Sequence, residues 1–173
     1  MENKAKKDSL GVKRVGATAE DQLRWVVEFA QKDMKLLRSE ERVALGKDLR
    51  LLVPEGWEGI DTKPMDEAIV ARLHSHISQG IKDLLDRNSG KWKLPRIGGL
   101  TLCRSEAPTR YQLTGEGGEF EGIVLGVFNL ILRLGSRLKA CDSPECRKPF
   151  VATRRQLFCS MTCSQRERDK RRT

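Results

Sequence analysis

Cys141, Cys146, Cys159 and Cys163 follow one another as C-x4-C-x12-C-x3-C, and this spacing limits what the end of the chain can fold into. Within each pair the gap is short enough for two thiolates from one tight turn to reach the same ion. The 12-residue gap between the pairs leaves room for a small hairpin that brings them together. Zn²⁺ takes four thiolates tetrahedrally at about 2.3 Å, and a closed shell of four has no open position for chemistry. A site of this kind organises structure and does not catalyse. The competing readings are a pair of disulfides or four unrelated buried thiols. Disulfides belong to oxidising compartments, and the opening run from Met1 to Lys7 is charged, not an apolar signal segment. Unrelated thiols would be scattered through apolar helices, yet these four fall within 23 residues of a polar, basic tail. Cys103 has no partner at ligand spacing and is expected to be a core thiol.

The residues around the cysteines predict a treble-clef-like finger. Asp142-Ser143-Pro144-Glu145 is turn chemistry and places the first pair on a knuckle. Phe150-Val151-Ala152 and Gln156-Leu157-Phe158 are expected as two short strands, turning at Thr153-Arg154-Arg155, with Phe150 and Phe158 beneath the metal. Ser160 is a good N-cap for a terminal helix carrying Cys163 in its first turn. Without a metal so polar a segment has little to hold it folded.

Charge divides the chain of 173 residues. Residues 136–173 carry 11 Lys/Arg against 4 Asp/Glu, a balance of +7; the first 14 residues balance at +3, and residues 15–135 at −1. A Zn(Cys⁻)₄ centre carries −2 and lowers the finger's figure to about +5. A neutral body with a basic metal module points to a polyanionic partner at the C-terminal end. The longest apolar run, Ile123 to Leu134, is too short to span a bilayer and contains Asn129 and Arg133. No membrane partner is expected, and a cytoplasmic location is.

The body reads as mainly α. Residues 1–16 form a lysine-rich arm without periodicity, residues 17–135 a helical domain, and residues 136–173 the finger with its basic terminal helix. A first helix is predicted from Thr18, its apolar positions Leu23, Val26, Val27, Ala30, Met34 and Leu37 recurring at helical spacing. A second starts at Ser39 and runs to about Val53. A third starts at Pro64 and runs to about Asp86, weakened at Gly80. Leu100–Arg104 and Arg110–Leu113 predict a small hairpin around Ala107-Pro108. A fourth helix, Phe120 to Leu134, is apolar on most faces and belongs at the centre of the domain.

His74 and His76 lie two apart on a predicted helix and do not share a face, so they read as boundary residues. Trp25, Trp57 and Trp92 read as core or boundary packing. No nucleophile triad, HExxH, P-loop or dinucleotide motif is present, and no enzyme activity is expected.

A helical body, an apolar helix, then Arg137-Leu138-Lys139-Ala140-Cys141, Cys146 with Phe150 four residues on, Phe158-Cys159-Ser160-Met161-Thr162-Cys163 and a basic tail resemble a known arrangement. It is similar to the bacterial CGNR-type zinc-finger proteins, in which the finger follows an ABATE domain. The match lies within residues 137–166; for the body it extends only to length, helix content and position. The resemblance implies a transcription regulator whose finger binds DNA and whose larger domain senses a small-molecule effector. Where that family has Cys-Gly-Asn-Arg, this chain has Cys163-Ser164-Gln165-Arg166, so only Arg166 carries over. A wider resemblance to Cys-Ser-x-x-Cys treble clefs covers the same residues.

The sequence therefore predicts a Zn²⁺ finger that engages nucleic acid, DNA before RNA. The candidate contacts are Arg147 and Lys148 after the first knuckle, Arg154 and Arg155 on the turn, and Arg166, Arg168, Lys170, Arg171 and Arg172 on the last helix. Two alternatives stand beside this reading. One is a zinc-braced module that docks another protein; the other is a zinc–thiolate redox switch.

Overall fold

The computed structural model describes residues 15–16, 18–57, 60, 63–86, 90–105 and 110–171, with the backbone alone described at 101–105 and 110–112. The basic arm up to Arg14, the tip of the hairpin around Ala107-Pro108, the side chain of Cys103 and Arg172 lie outside the described residues.

The chain is mainly helical. Helix α1 (Ala19–Ala30) begins where expected, because Thr18 Oγ1 accepts from the Asp21 backbone N–H at 3.1 Å. Its apolar repeat continues into Met34 and Leu37, but the helix does not. The Gln31 and Lys32 N–H groups turn back to Glu28 and Phe29 in a 3₁₀ close, and Asp33 caps a separate 3₁₀ turn at Met34–Leu36. Both Met34 and Leu37 still pack on the core.

Helix α2 (Ser39–Arg50) has Arg38, not Ser39, at its N-cap, and Glu41 returns to accept from the Arg38 N–H at 2.8 Å. The Ser39 hydroxyl is used elsewhere, donating to the Glu67 carboxylate. Helix α3 (Glu67–Leu85) starts later than Pro64, because the Asp66 carboxylate accepts from the Ala68 N–H at 2.7 Å and fixes the first turn there. Strands β1 (Gly98–Ser105) and β2 (Arg110–Glu116) form the expected antiparallel hairpin, longer than the alternation alone indicates.

Helix α4 (Glu119–Leu134) packs against α1, α2, α3 and β2, the central position expected of it. Two features of its sequence have local causes. Gly126 lies so close to α2's exit that a Cβ there would stand 1.8 Å from the Leu52 carbonyl oxygen. Asn129, a polar residue in the apolar run, donates to the Leu113 carbonyl at 2.8 Å and accepts from the Leu113 N–H at 3.1 Å. It satisfies the outer edge of β2 as a neighbouring strand would.

The aromatic residues pack as expected. Trp25 is buried and stacks on Phe29 with ring centroids 5.4 Å apart. Trp57 is buried against Gly122. Trp92 lies over Gly80, whose missing Cβ leaves room for the indole; an added carbon would sit 2.1 Å from the ring. His76 Nε2 accepts from Trp92 Nε1 at 3.3 Å, and His74 meets Phe29 edge-on.

The hand-over to the finger is a 3₁₀ turn at Gly135–Arg137, followed by β3 (Leu138–Ala140), β4 (Pro149–Val151) and α5 (Met161–Lys170). Here the structure corrects the sequence reading. The hairpin pairs β3 with β4, Leu138 opposite Val151, and no strand occupies Gln156–Phe158. The strands flank the first cysteine pair, so the knuckle is itself the hairpin's loop. Residues 153–156 form a turn stapled by the Gln156 side chain, which accepts from the Thr153 N–H at 3.2 Å and donates to the Phe158 carbonyl at 2.8 Å. Those groups are satisfied locally and are not offered to a ladder.

The finger's hairpin shares the body's core. Leu138 and Val151 are buried in the same apolar cluster as Leu23, Val26, Ile77 and Ile123. A second, smaller cluster of Cys141, Phe150, Ala152 and Cys163 lies beyond it, with Phe158 packed alongside.

Candidate metal centre

Each cysteine reaches the site from a different local structure. Cys141 leaves β3, and its N–H donates to the Lys148 carbonyl at 2.9 Å, extending the ladder by one pair. Cys146 closes the knuckle, where the Cys146 and Arg147 N–H groups both reach the Ser143 carbonyl, at 3.0 and 3.1 Å. Arg147 turns the chain out of the knuckle at φ 47°, in the left-handed region. Cys159 follows the 153–156 turn. Cys163 sits in the first turn of α5, its N–H donating to the Ser160 hydroxyl at 3.2 Å, so Ser160 is the cap that the sequence predicted.

The four Sγ atoms lie within 4.8 Å of one another. Cys146 and Cys159 are separated by 3.6 Å and Cys159 and Cys163 by 3.8 Å. Four sulfurs on a tetrahedron of ~2.3 Å bonds stand about 3.8 Å apart, so the cluster has the size that such an ion requires. A disulfide sulfur pair stands at about 2.05 Å, far closer than these. The Cys159 N–H points at Cys141 Sγ across 3.4 Å, the backbone donation that steadies a ligating thiolate. The cluster can hold a metal ion.

The thiols are electrostatically unequal. Burial, reinforced by hydrogen bonds in which the Cys159 thiol donates to Cys146, Cys141 and Cys163, pushes Cys159 up to about 12. Cys163 is drawn below its ordinary value, first by its hydrogen bond with Ser160. Cys141 and Cys163 are buried, while Cys146 and Cys159 are half-buried.

The knuckle is fastened to α5 by charge. Glu145 takes Lys170 at 2.7 Å and Arg166 at 3.2 Å. The buried Ser143 donates to Glu167 at 3.1 Å, and Glu167 also faces Lys170 at 3.5 Å. The two cations hold the Glu145 carboxyl below its usual range, Lys170 more than Arg166.

The predicted nucleic-acid contacts are distributed over three segments. Arg147 and Lys148 are exposed at the knuckle's exit, and Arg154 and Arg155 on the following turn, where Arg154 has φ 52°. Arg166, Arg168, Lys170 and Arg171 are exposed on α5 and its end, with Arg166 and Lys170 tied to Glu145. Lys82 and Lys139 are not among the residues that the sequence singles out. They join Arg147 around an open groove of about 660 Å³ between α3's last turn and the finger, which Asp86 and Asp142 also line. Lys82 lies far upstream of the cysteines, and no sequence signal joins it to them.

Among the described residues no helix is long and apolar enough to cross a membrane. Set against known proteins, the chain matches no family model, no curated protein and no solved structure.

Proposed function

We propose that Cys141, Cys146, Cys159 and Cys163 hold zinc and that the finger built on it engages nucleic acid in a transcription-regulating role of the CGNR type. The four-thiolate set supports the metal's identity, because soft ligands in a tetrahedral array select zinc or iron–sulfur chemistry. The observation that carries the nucleic-acid reading is the placement of charge. Exposed arginines and lysines leave the cysteine-bearing region from three separate segments, while the body they rest on is neutral. Zinc would supply no reaction here; it would fix the directions in which Arg147, Arg154 and α5 leave the core. The body then has the role of sensing an effector or mediating assembly.

The test is a titration of the metal-loaded protein on duplex DNA over a range of salt. Affinity should fall with a log–log slope of about −0.9 for each phosphate held, and Cys159→Ser should abolish it. Absence of binding at low salt overturns the reading. A second reading, docking to another protein, has its own support. Leu157 and Met161, on either side of Cys159-Ser160, are 53% and 84% exposed, and stoichiometric capture of one protein without nucleic acid would favour it.

A further inference from the structure

The α5 cations of the nucleic-acid reading do not all stand ready. At about 100° per residue, Met161, Thr162, Gln165, Arg166, Asp169 and Lys170 share one arc of α5; all are exposed and together line a shallow surface. Cys163 and Glu167 lie just past the Lys170 edge of that arc, toward the cysteine cluster and Ser143. Two cations of the arc are already held by Glu145 on the knuckle.

We propose that duplex DNA binds this arc of α5 and that Glu145 is a built-in competitor for its phosphates, an inference that rests on the nucleic-acid reading above. Charge favours DNA as the occupant: the segment 136–173 carries 11 basic residues against 4 acidic ones, and the arc itself presents Arg166 and Lys170 against Asp169. A 10-residue helix is about 15 Å long and enters a major groove about 12 Å wide. Gln165 and Arg166 are residue types that fork onto adenine and guanine edges. Both ion pairs at Glu145 are about half exposed, with side-chain exposures of 51% and 54% for Arg166–Glu145 and 47% and 54% for Lys170–Glu145. Water screens such pairs, and a phosphate in the condensed field of a duplex can displace them. Glu167 is not the competitor, because Ser143 anchors it against the knuckle. The internal carboxylate raises the threshold for binding and makes it depend on more than one phosphate arriving together.

The experiment is fluorescence anisotropy of the full-length, metal-loaded protein on a short duplex, with metal content measured for every variant. Glu145→Gln should tighten binding roughly two- to five-fold at low salt and steepen the salt slope by about 0.9 for each phosphate gained. Arg166→Gln should cost more affinity in the Glu145→Gln background than in the wild type. Wild-type binding that Glu145→Gln leaves unchanged or weakens, with metal retained, overturns the competitor. Should Glu145→Gln lose its metal, Glu145→Asp decides: the shorter carboxylate releases Arg166 and Lys170 and should tighten binding, and unchanged or weakened binding overturns the proposal. A wild type that ignores the duplex at low salt overturns the nucleic-acid reading itself.

Discussion

The side-chain amide of Gln31 donates to the Pro149 carbonyl across 2.8 Å, joining the end of α1 to the first residue of β4. The same nitrogen donates to the Val27 carbonyl at 3.1 Å, which occupies one of the helix's terminal acceptors. Around this link, Val151 and Leu138 enter the body's core, and Arg137 pairs with Glu20 of α1. The cysteine cluster and the helical body are therefore mechanically one. Gln31→Ala should destabilise the metal-loaded protein by about 0.5–1.5 kcal/mol, read by urea denaturation of the helical signal. After chelation of the metal the penalty should shrink, because β4 is then no longer held at its partner.

Leu138 is 7% exposed and packs with the helices although it belongs to the finger's hairpin. Leu138→Ala should cost about 2–4 kcal/mol of global stability. It should also weaken metal retention in competition with a chelator, although Leu138 belongs to the body's apolar cluster and not to that of the cysteines. Unchanged metal retention would show that the finger folds without reference to the body.

Two glycines separate tolerable from intolerable crowding. At Gly80 an added Cβ meets the Trp92 ring at 2.1 Å, and at Gly126 it meets the Leu52 backbone oxygen at 1.8 Å. A side chain can swing aside, and alanine regains up to about 1 kcal/mol of helix propensity. Gly80→Ala should therefore cost about 1–2 kcal/mol and expose Trp92 to quenchers. Backbone cannot yield in this way. Gly126→Ala should be the more damaging of the two in thermal unfolding, separating α4 from the end of α2.

Burial, assisted by the nearby Arg72, holds His76 below its ordinary value of 6.5, and burial does the same at His74. The unfolded chain takes up these protons first, so the contribution is fully present above about pH 6.5 and is lost as the pH falls below it. Protonation of His76 also removes the acceptor for the Trp92 indole N–H. Denaturation midpoints should decline from about pH 7.5 to about 5.5, with a change in Trp92 emission. His76→Gln should decline less over the same interval.

Arg147 and Arg154 lie at φ 47° and 52°, where L side chains are strained and glycine is not. Arg147→Gly and Arg154→Gly relieve that strain while deleting a cation. Thermal stability should stay level or rise, and affinity for duplex DNA should fall. Binding loss in a protein at least as stable as the wild type assigns the effect to charge and not to misfolding.

Much of this was legible in the sequence. Cysteine spacing located the four-thiol cluster, Thr18 and Ser160 marked two helix starts, and the apolar breadth of α4 placed it at the centre. The finger's pairing was not legible. Leu138-Lys139-Ala140 is too short to stand out by alternation, and it becomes a strand only because β4 and the body's core receive it. The reach of α1 was overestimated because Met34 and Leu37 keep their apolar role after the backbone has left the helix. Gly80 read as a weak point, but its purpose is Trp92, twelve residues away in a segment without periodicity. Glu145 read as turn chemistry; its grip on Arg166 and Lys170 depends on how α5 folds back over the knuckle.

Metal coordination by the four-cysteine cluster is tested most directly by loading the purified full-length protein with Co²⁺ and measuring both stoichiometry and visible absorption. One ion per chain is predicted, with the d–d and sulfur-to-metal bands of tetrahedral four-thiolate coordination. Cys159→Ser should change those bands and reduce affinity. A chain that keeps its full fold and stability with no bound metal, or one that binds Co²⁺ without thiolate bands, would contradict the account.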